Sequence, residues 1–223
     1  MAQLPSYTIK SLEEKDYDEA MEFLRRTFYI DEPMNQAVGL FSQPDETHPC
    51  LDNFTEKGLH QGLTFKAVDD EGHIIALMVN GIDPLKEPAD GTDVLSLAEK
   101  CPDPKFQKIL YVIAIANAYA KIWEKYPGEK TLMEIKIAAT DPQWRRRGIM
   151  NELVKESEKK AKELGINLLR MDTSSAYSAK SAEKTGFTCV YEKPYSDIKL
   201  DGKPLIVPEP PHNYDRVFIK SLK

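Results

Sequence analysis

The segment from Thr131 to Thr173 limits the possible folds more than any other part of the chain. "TLMEIKIAAT" reads as a strand, "RRGIMNELVKESEKKAKEL" repeats apolar residues at helical spacing and closes at Gly165, and "INLLRMDT" reads as a second strand. A strand, a helix and a strand in that order form a βαβ unit, whose strands are expected to lie parallel.

The flanking sequence supplies the other layers. "SYTIKSL" reads as a short strand, and Tyr17, Ala20, Met21, Leu24 and Phe28 fall on one helical face with Asp16 as the expected N-cap. "LTFKAV" and "HIIALMVNGI" flank the turn "DDEG", which predicts an antiparallel hairpin with a solvated His73 at its edge. Residues 106 to 126 repeat apolar groups at helical intervals, as a heavily buried helix would. "SAYSAKSAEKTGF" reads as a short helix stopped by Gly186, and strands are expected at "FTCVYEK" and "RVFIKSL", with the Pro-rich loop "DGKPLIVPEPPHNYD" between them. "YIDEPMNQAVGLFSQPDETHPCLDNF" should be irregular or hold short helices, and such long loops often serve a site. With no repeat and no linker, the expected organisation is a single domain over residues 1–223 of α/β (α+β) class, a mixed central sheet flanked by helices.

Composition excludes several functions. A net charge of -6 argues against a broad nucleic-acid footprint. Cys50, Cys101 and Cys189 form no C-x-x-C pair, so neither a disulfide framework nor a metal site is expected. The N-terminus lacks the apolar core of a signal peptide, and "ILYVIAIANAYA" is too short to span a membrane, so a cytoplasmic protein is expected, without membrane or nucleic-acid partners and monomeric.

Against this acidic background, "QWRRRGIM" places three arginines where the first parallel strand gives way to its helix. Free backbone N–H groups and the positive helix end can hold an anion there, and Gly148 lets a pyrophosphate approach the main chain. A solvated helix start is the competing reading of the same residues. Neither G-x-x-x-x-G-K-[ST] nor G-x-G-x-x-G occurs, which removes support for nucleotide hydrolysis and dinucleotide redox chemistry.

The tract resembles the R-x-x-G-x-[GA] element of the GNAT superfamily of acyl-CoA-dependent N-acetyltransferases. Arg145 and Gly148 match it, Met150 departs from it, and "EKTGF" at Glu183 to Phe187 matches the superfamily's next motif. Within the superfamily, "DEPMN" at Asp31 to Asn35, "TSSAYS" at Thr173 to Ser178 and "PEPPH" at Pro208 to His212 resemble the insect arylalkylamine (dopamine-type) N-acetyltransferases. The resemblance implies a GNAT fold with a splayed parallel strand pair. It implies acetyl-CoA as co-substrate, no metal, and an acceptor of the dopamine, tyramine, octopamine or serotonin type.

Carried onto this chain, it makes Glu32 the general base with Ser174 and Ser178 as polar partners. The acetyl-CoA contacts would fall on Ala138, Ala139 and Thr140 along the pantetheine arm, on Arg145, Arg146, Arg147, Gly148, Ile149, Met150 and Asn151 at the pyrophosphate, and on Ser175. His212 would line the amine pocket. Ala182 stands where the common superfamily motif carries a tyrosine acid, which favours a serine-assisted route.

The chemistry asks for these groups independently. An alkyl ammonium with a pKa near ~10 must lose a proton before it attacks a thioester, and a partly buried carboxylate can take it. Competing readings remain for each residue: Glu32 as a solvated acid or helix cap, Ser174 as a helix cap, and His212 as a loop histidine. Cys50 has His48 nearby but no convincing base arrangement, so direct transfer in a ternary complex is expected. Other acceptors stay open, namely polyamines, agmatine or peptides, as does a non-catalytic acyl-CoA-binding domain.

Overall fold

The computed structural model of the protein describes residues 6–87 and 94–223, so the first five residues of the N-terminal stretch read above lie outside it. In chain order the elements are β1 (Tyr7–Ser11), α1 (Tyr17–Leu24), a π-helical turn (Arg25–Tyr29), α2 (Pro33–Val38), α3 (Pro49–Leu59), β2 (Phe65–Asp69) and β3 (Ile74–Pro84). They continue with α4 (Val94–Lys100), α5 (Pro104–Ala120), α6 (Ile122–Lys125), β4 (Thr131–Thr140), α7 (Ile149–Glu163), β5 (Leu168–Thr173) and α8 (Ala176–Lys184). β6 (Thr188–Pro194), the two-residue strands β7 (Lys199–Leu200) and β8 (Lys203–Pro204), and β9 (Tyr214–Ser221) complete the chain.

Seven strands form one mixed sheet in the order β1-β2-β3-β4-β5-β9-β6. β4 and β5 are parallel, joined by α7, while the other neighbours are antiparallel. Helix α7 buries Ile149, Leu153, Val154, Ser157 and Ala161 along one stripe, as its spacing predicts. That stripe and α8 cover one face of the sheet around Met133, Leu169 and Phe218. The other face carries α1, α3 and α5 around Phe23, Leu77 and Ile137, with a smaller apolar group at Ala116, Leu132 and Val217.

One irregularity shapes the sheet centre. Val79 pairs with Ile137 while Asn80 pairs with Ile135, so Lys136 is an extra residue in β4. An inserted residue reverses which face the following side chains meet. Accordingly Met133 and Ile135 pack toward α7, whereas Ile137 and Ala139 pack toward α1 and α5. The parallel pairing also stops at Ile135 opposite Met171, so beyond the bulge β4 and β5 splay apart.

A half-buried charge network lies at the foot of that splay. Lys136 Nζ sits 2.6 Å from Asp83 and 3.0 Å from Glu134. Arg170 makes paired contacts of 2.8 and 2.7 Å to Asp172 and a third, of 2.9 Å, to Asn117 on α5. Burial opposes ionisation of Glu134, but Lys136 and Arg170 prevail and hold its carboxyl down at about 2.

Some expectations change. The long helix over 106–126 breaks at Lys121, which adopts a left-handed conformation (φ 46), so α5 ends at Ala120 and α6 restarts. Asp16 does not cap α1: it is buried, accepts the Glu13 N–H at 2.8 Å and pairs with Lys66 at 2.7 Å. The helix after the arginines begins at Ile149, later than its sequence pattern suggested. Arg170→Met should cost ~1.5–3 kcal/mol, because it strips the half-buried Asp172 of its charge-assisted contacts; urea unfolding measures the loss.

Candidate active site

The cradle begins where β4 ends. Arg146 (φ 65) and Gly148 (φ 81) are both left-handed, which turns the chain sharply into α7. Gly148 is the helix N-cap and offers no side chain to the first turn. The Asn151 and Glu152 N–H groups fold back to the Gly148 carbonyl at 2.9 and 3.3 Å, and the Arg145 N–H turns to Pro142 at 3.4 Å. Among the described residues, the N–H groups of 146 to 150 make no internal backbone bond, so the free donors form a narrower set than Arg145 to Asn151. Five neighbouring donors at the positive end of a 15-residue helix suit a pyrophosphate. Met150 packs its side chain at the edge of the core beneath α7, leaving its N–H to the cradle.

The three arginines divide the work. Arg145 donates to the Thr140 carbonyl at 3.1 Å and pairs with Asp31 across the site. Arg147 lies over the Trp144 ring, 4.6 Å from its centroid, and donates to the Gln143 carbonyl. Arg146 is exposed and, among the described residues, uncommitted, so it alone is free to add charge to an anion.

Glu32 is built by the "DEPMN" segment. Its backbone is extended, Pro33 opens α2, and its Oε2 accepts the Asn35 N–H at 2.6 Å, so the residue caps the helix. The Asn35 side chain in turn donates to the Tyr29 carbonyl at 3.0 Å, tying the cap to the preceding π-helical turn. Glu32 is only 7% exposed, and its Oε1 is buried without a hydrogen-bond partner. Burial raises its pKa, against opposing contacts from the Ser174 side chain and the Asn35 and Met34 N–H groups. The solvated-acid reading is therefore removed, and the capping reading holds.

Two contacts place Glu32 over the splay. Its neighbour Asp31 is tied through Arg145 to the end of β4, and Ser174 directly follows β5. Beyond the last parallel pair, Ala138, Ala139 and Thr140 remain bonded to β3 on one side and leave their other edge facing the gap.

The serines separate in role. Ser174 touches Glu32, and its carbonyl accepts the buried Tyr195 hydroxyl at 3.3 Å. Ser175, not Ser174, caps α8, accepting the Tyr177 N–H at 3.1 Å. Ser178 Oγ donates to the Ser175 carbonyl at 2.9 Å, within the first turn of α8. His212 Nδ1 accepts the Ala176 N–H at 3.2 Å, and burial lowers its pKa, which keeps the ring neutral and able to accept. His212 and Tyr195 wall an open cavity of about 290 Å³ with Pro194, Val207, Pro208 and Tyr214.

Sequence reasoning missed Tyr195 and Asp215. Asp215 carried a usable signal: it shares strand parity with Val217 and Ile219, so it points inward. Burial raises the Tyr195 pKa, which makes it a hydrogen-bond donor and a poor proton donor for catalysis. His48 is engaged elsewhere, capping α3 at the Leu51 N–H and lying 3.5 Å from Asp103, while burial and the neighbouring Cys101 push the Cys50 thiol up. Neither residue forms an activated nucleophile pair. Among the described residues no group of three or more His, Cys, Asp or Glu is placed to hold a metal ion, and no helix is long and apolar enough to cross a membrane.

A family model described as "Acetyltransferase (GNAT) family" matches residues 17–187. Among solved structures, arylalkylamine N-acetyltransferase 2 from Aedes aegypti superposes with a TM-score of 0.89 at 26% identity, covering 98% of this chain and 100% of that one. A Drosophila melanogaster polyamine N-acetyltransferase, which forms N-acetylagmatine, gives 0.84 at 23% identity over 97% and 100%. An agmatine N-acetyltransferase gives 0.85 at 21% over 96% and 99%.

The backbone at Gly148 can be probed without touching any other group. A Cβ there would meet nothing within 4 Å, so Gly148→Ala should cost only the left-handed penalty of ~1–2 kcal/mol, and Gly148→Asn less. Urea unfolding of the two variants checks the order.

Proposed function

The chain belongs to the GNAT acetyltransferase family, and from that premise we propose that it transfers the acetyl group of acetyl-CoA to a small primary amine of the arylalkylamine type. The observation that carries this reading is Glu32, a buried carboxylate with one unpartnered oxygen, lying over the gap between β4 and β5. The "DEPMN", "TSSAYS" and "PEPPH" segments support an arylalkylamine acceptor, as does the likeness to the Aedes aegypti enzyme. A second reading, a polyamine or guanidino-amine acceptor, draws on a different observation, the acidic surroundings of the site, where Asp215 Oδ2 is also buried without a hydrogen-bond partner.

In this mechanism the free N–H groups of 146 to 150 hold the pyrophosphate, and the open edge of β4 from Ala138 to Thr140 receives the pantetheine arm. Glu32 Oε1 accepts a proton from the ammonium, so that its nitrogen can attack the thioester carbonyl. A backbone N–H at that open edge stabilises the developing oxyanion, since a fixed donor needs no reorganisation as charge appears. Ser174 orients Glu32. Ser178 acts at one remove, by fixing the turn that presents Ser174 and Ser175. The acetyl group passes directly within the ternary complex.

The raised Glu32 pKa links activity and stability with opposite signs. The amine's kcat/KM requires the carboxylate, so it rises with pH through the elevated Glu32 pKa. Stability moves the other way: between the unfolded value near ~4.3 and the elevated one, the folded state holds the extra proton, so stability falls as pH rises. Purified protein should release CoA thiol with acetyl-CoA and tyramine or dopamine. Glu32→Gln should lose about a hundredfold or more of that rate and, in thermal melts, lose its share of the downward stability slope. If no amine in a panel of aromatic amines, polyamines and peptides releases thiol, the enzymatic reading fails.

A further inference from the structure

Glu32 is not the only carboxylate with an unpartnered oxygen on this side of the sheet. Asp83 and Glu134 share Lys136, and Asp172 takes Arg170 through two contacts. Asp215 on β9 is 5% exposed, and its Oδ2 is buried with no hydrogen-bond partner.

The cations around Asp215 are committed elsewhere. Arg216 donates to Glu192 at 2.6 Å, Arg170 is held by Asp172 and Asn117, and Lys193, directly across on β6, lies over the Tyr119 ring 5.0 Å from its centroid. Asp215 and Glu32 both act on the Tyr195 phenol, and the Glu32 charge also bears on Asp215. Beside Asp215, the Tyr191 hydroxyl is also buried without a partner. Burial, reinforced by Asp172 and Glu32, drives the Asp215 carboxyl well above its ordinary range, against the opposing charges of Arg170 and Arg216.

A buried carboxylate without a partner is costly unless a ligand completes it. An amine with a single charge cannot serve both acids. Once Glu32 takes its proton, that amine is neutral and Asp215 remains alone. A second cationic nitrogen on the same molecule would stay charged through the chemical step.

We propose that Asp215, with the Tyr191 hydroxyl, forms a second cation subsite of the acceptor site, which binds the distal ammonium or guanidinium of a diamine or guanidino-amine. The subsite rests on the acyl-acceptor reading of Glu32 and extends the acceptor range beyond singly charged aryl amines. Its two members come from neighbouring strands and face the same side, since Tyr191 pairs with Val217 and Lys193 with Asp215.

The test compares agmatine, which carries a guanidinium at its far end, with phenethylamine, which carries neither a second charge nor a hydroxyl. Calorimetry on CoA-saturated protein measures binding directly, and thiol release measures KM. Asp215→Asn should weaken agmatine by about tenfold or more, the loss of one charge-assisted contact, and leave phenethylamine within about twofold. Unchanged acetyl-CoA affinity shows that the variant is folded. Asp215→Glu, which keeps the charge, should retain more agmatine binding than Asp215→Asn, a difference that a structural role would not produce. Agmatine should also raise the thermal midpoint of the unsubstituted protein and not of Asp215→Asn. Equal weakening of both amines, or agmatine binding that survives Asp215→Asn, overturns the subsite. Because binding is read apart from turnover, protein that binds agmatine through Asp215 and acetylates nothing would sink the catalytic reading and leave the subsite standing.

Discussion

The site depends on one residue too many in β4. With Lys136 inserted, the strand stays bonded to β3, exchanges its inward and outward faces, and parts from β5 after a single short stretch of parallel pairing. A bulge bends its strand and increases the local twist. The extra residue would leave its own side chain stranded in the interior, and the fold answers with Asp83 and Glu134 around its ammonium. A backbone irregularity and a charge cluster thus stabilise each other, and the gap between the strands results from both.

The elements at the rim of the gap serve structural and chemical ends with the same atoms. Glu32 uses one carboxylate oxygen to satisfy a helix N-terminus and leaves the other free. That division fixes its rotamer and leaves one oxygen unpartnered, at the cost of burying a polar atom. α8 is capped twice, by Ser175 and by His212 from the loop before β9, so the loop and the turn bearing Ser174 are anchored to each other. On the opposite rim, α7 has no side-chain cap, and its donors stay available.

Much of this was legible in the sequence because it follows local rules. The βαβ unit, the β2–β3 hairpin and the amphipathic α7 all declare their periodicity, and Gly148 marks a turn that a left-handed residue must make. Glu32 and the cradle could be located through motif resemblance. What stayed hidden was non-local. Asp16 looks like a helix cap until Lys66, fifty residues on, is seen to claim it. The break at Lys121 sits in a run of good helix formers, and nothing local announces it. The bulge depends on register with β3, and Asp215 appears as one acid in an ordinary strand until its neighbours prove to be occupied.

The open edge of β4 has a consequence for how this chain tolerates change. A strand edge inside a sheet presents main-chain donors and acceptors to whatever extended molecule enters beside it, and side chains take little part in that pairing. Single substitutions at Ala138 or Thr140 therefore alter the gap's walls and spare its hydrogen-bonding pattern. An inserted or deleted residue between Glu134 and Ala138 would remove the bulge or double it and move every later side chain to the wrong face. At those two positions divergence is free in letter, while the strand is fixed in length.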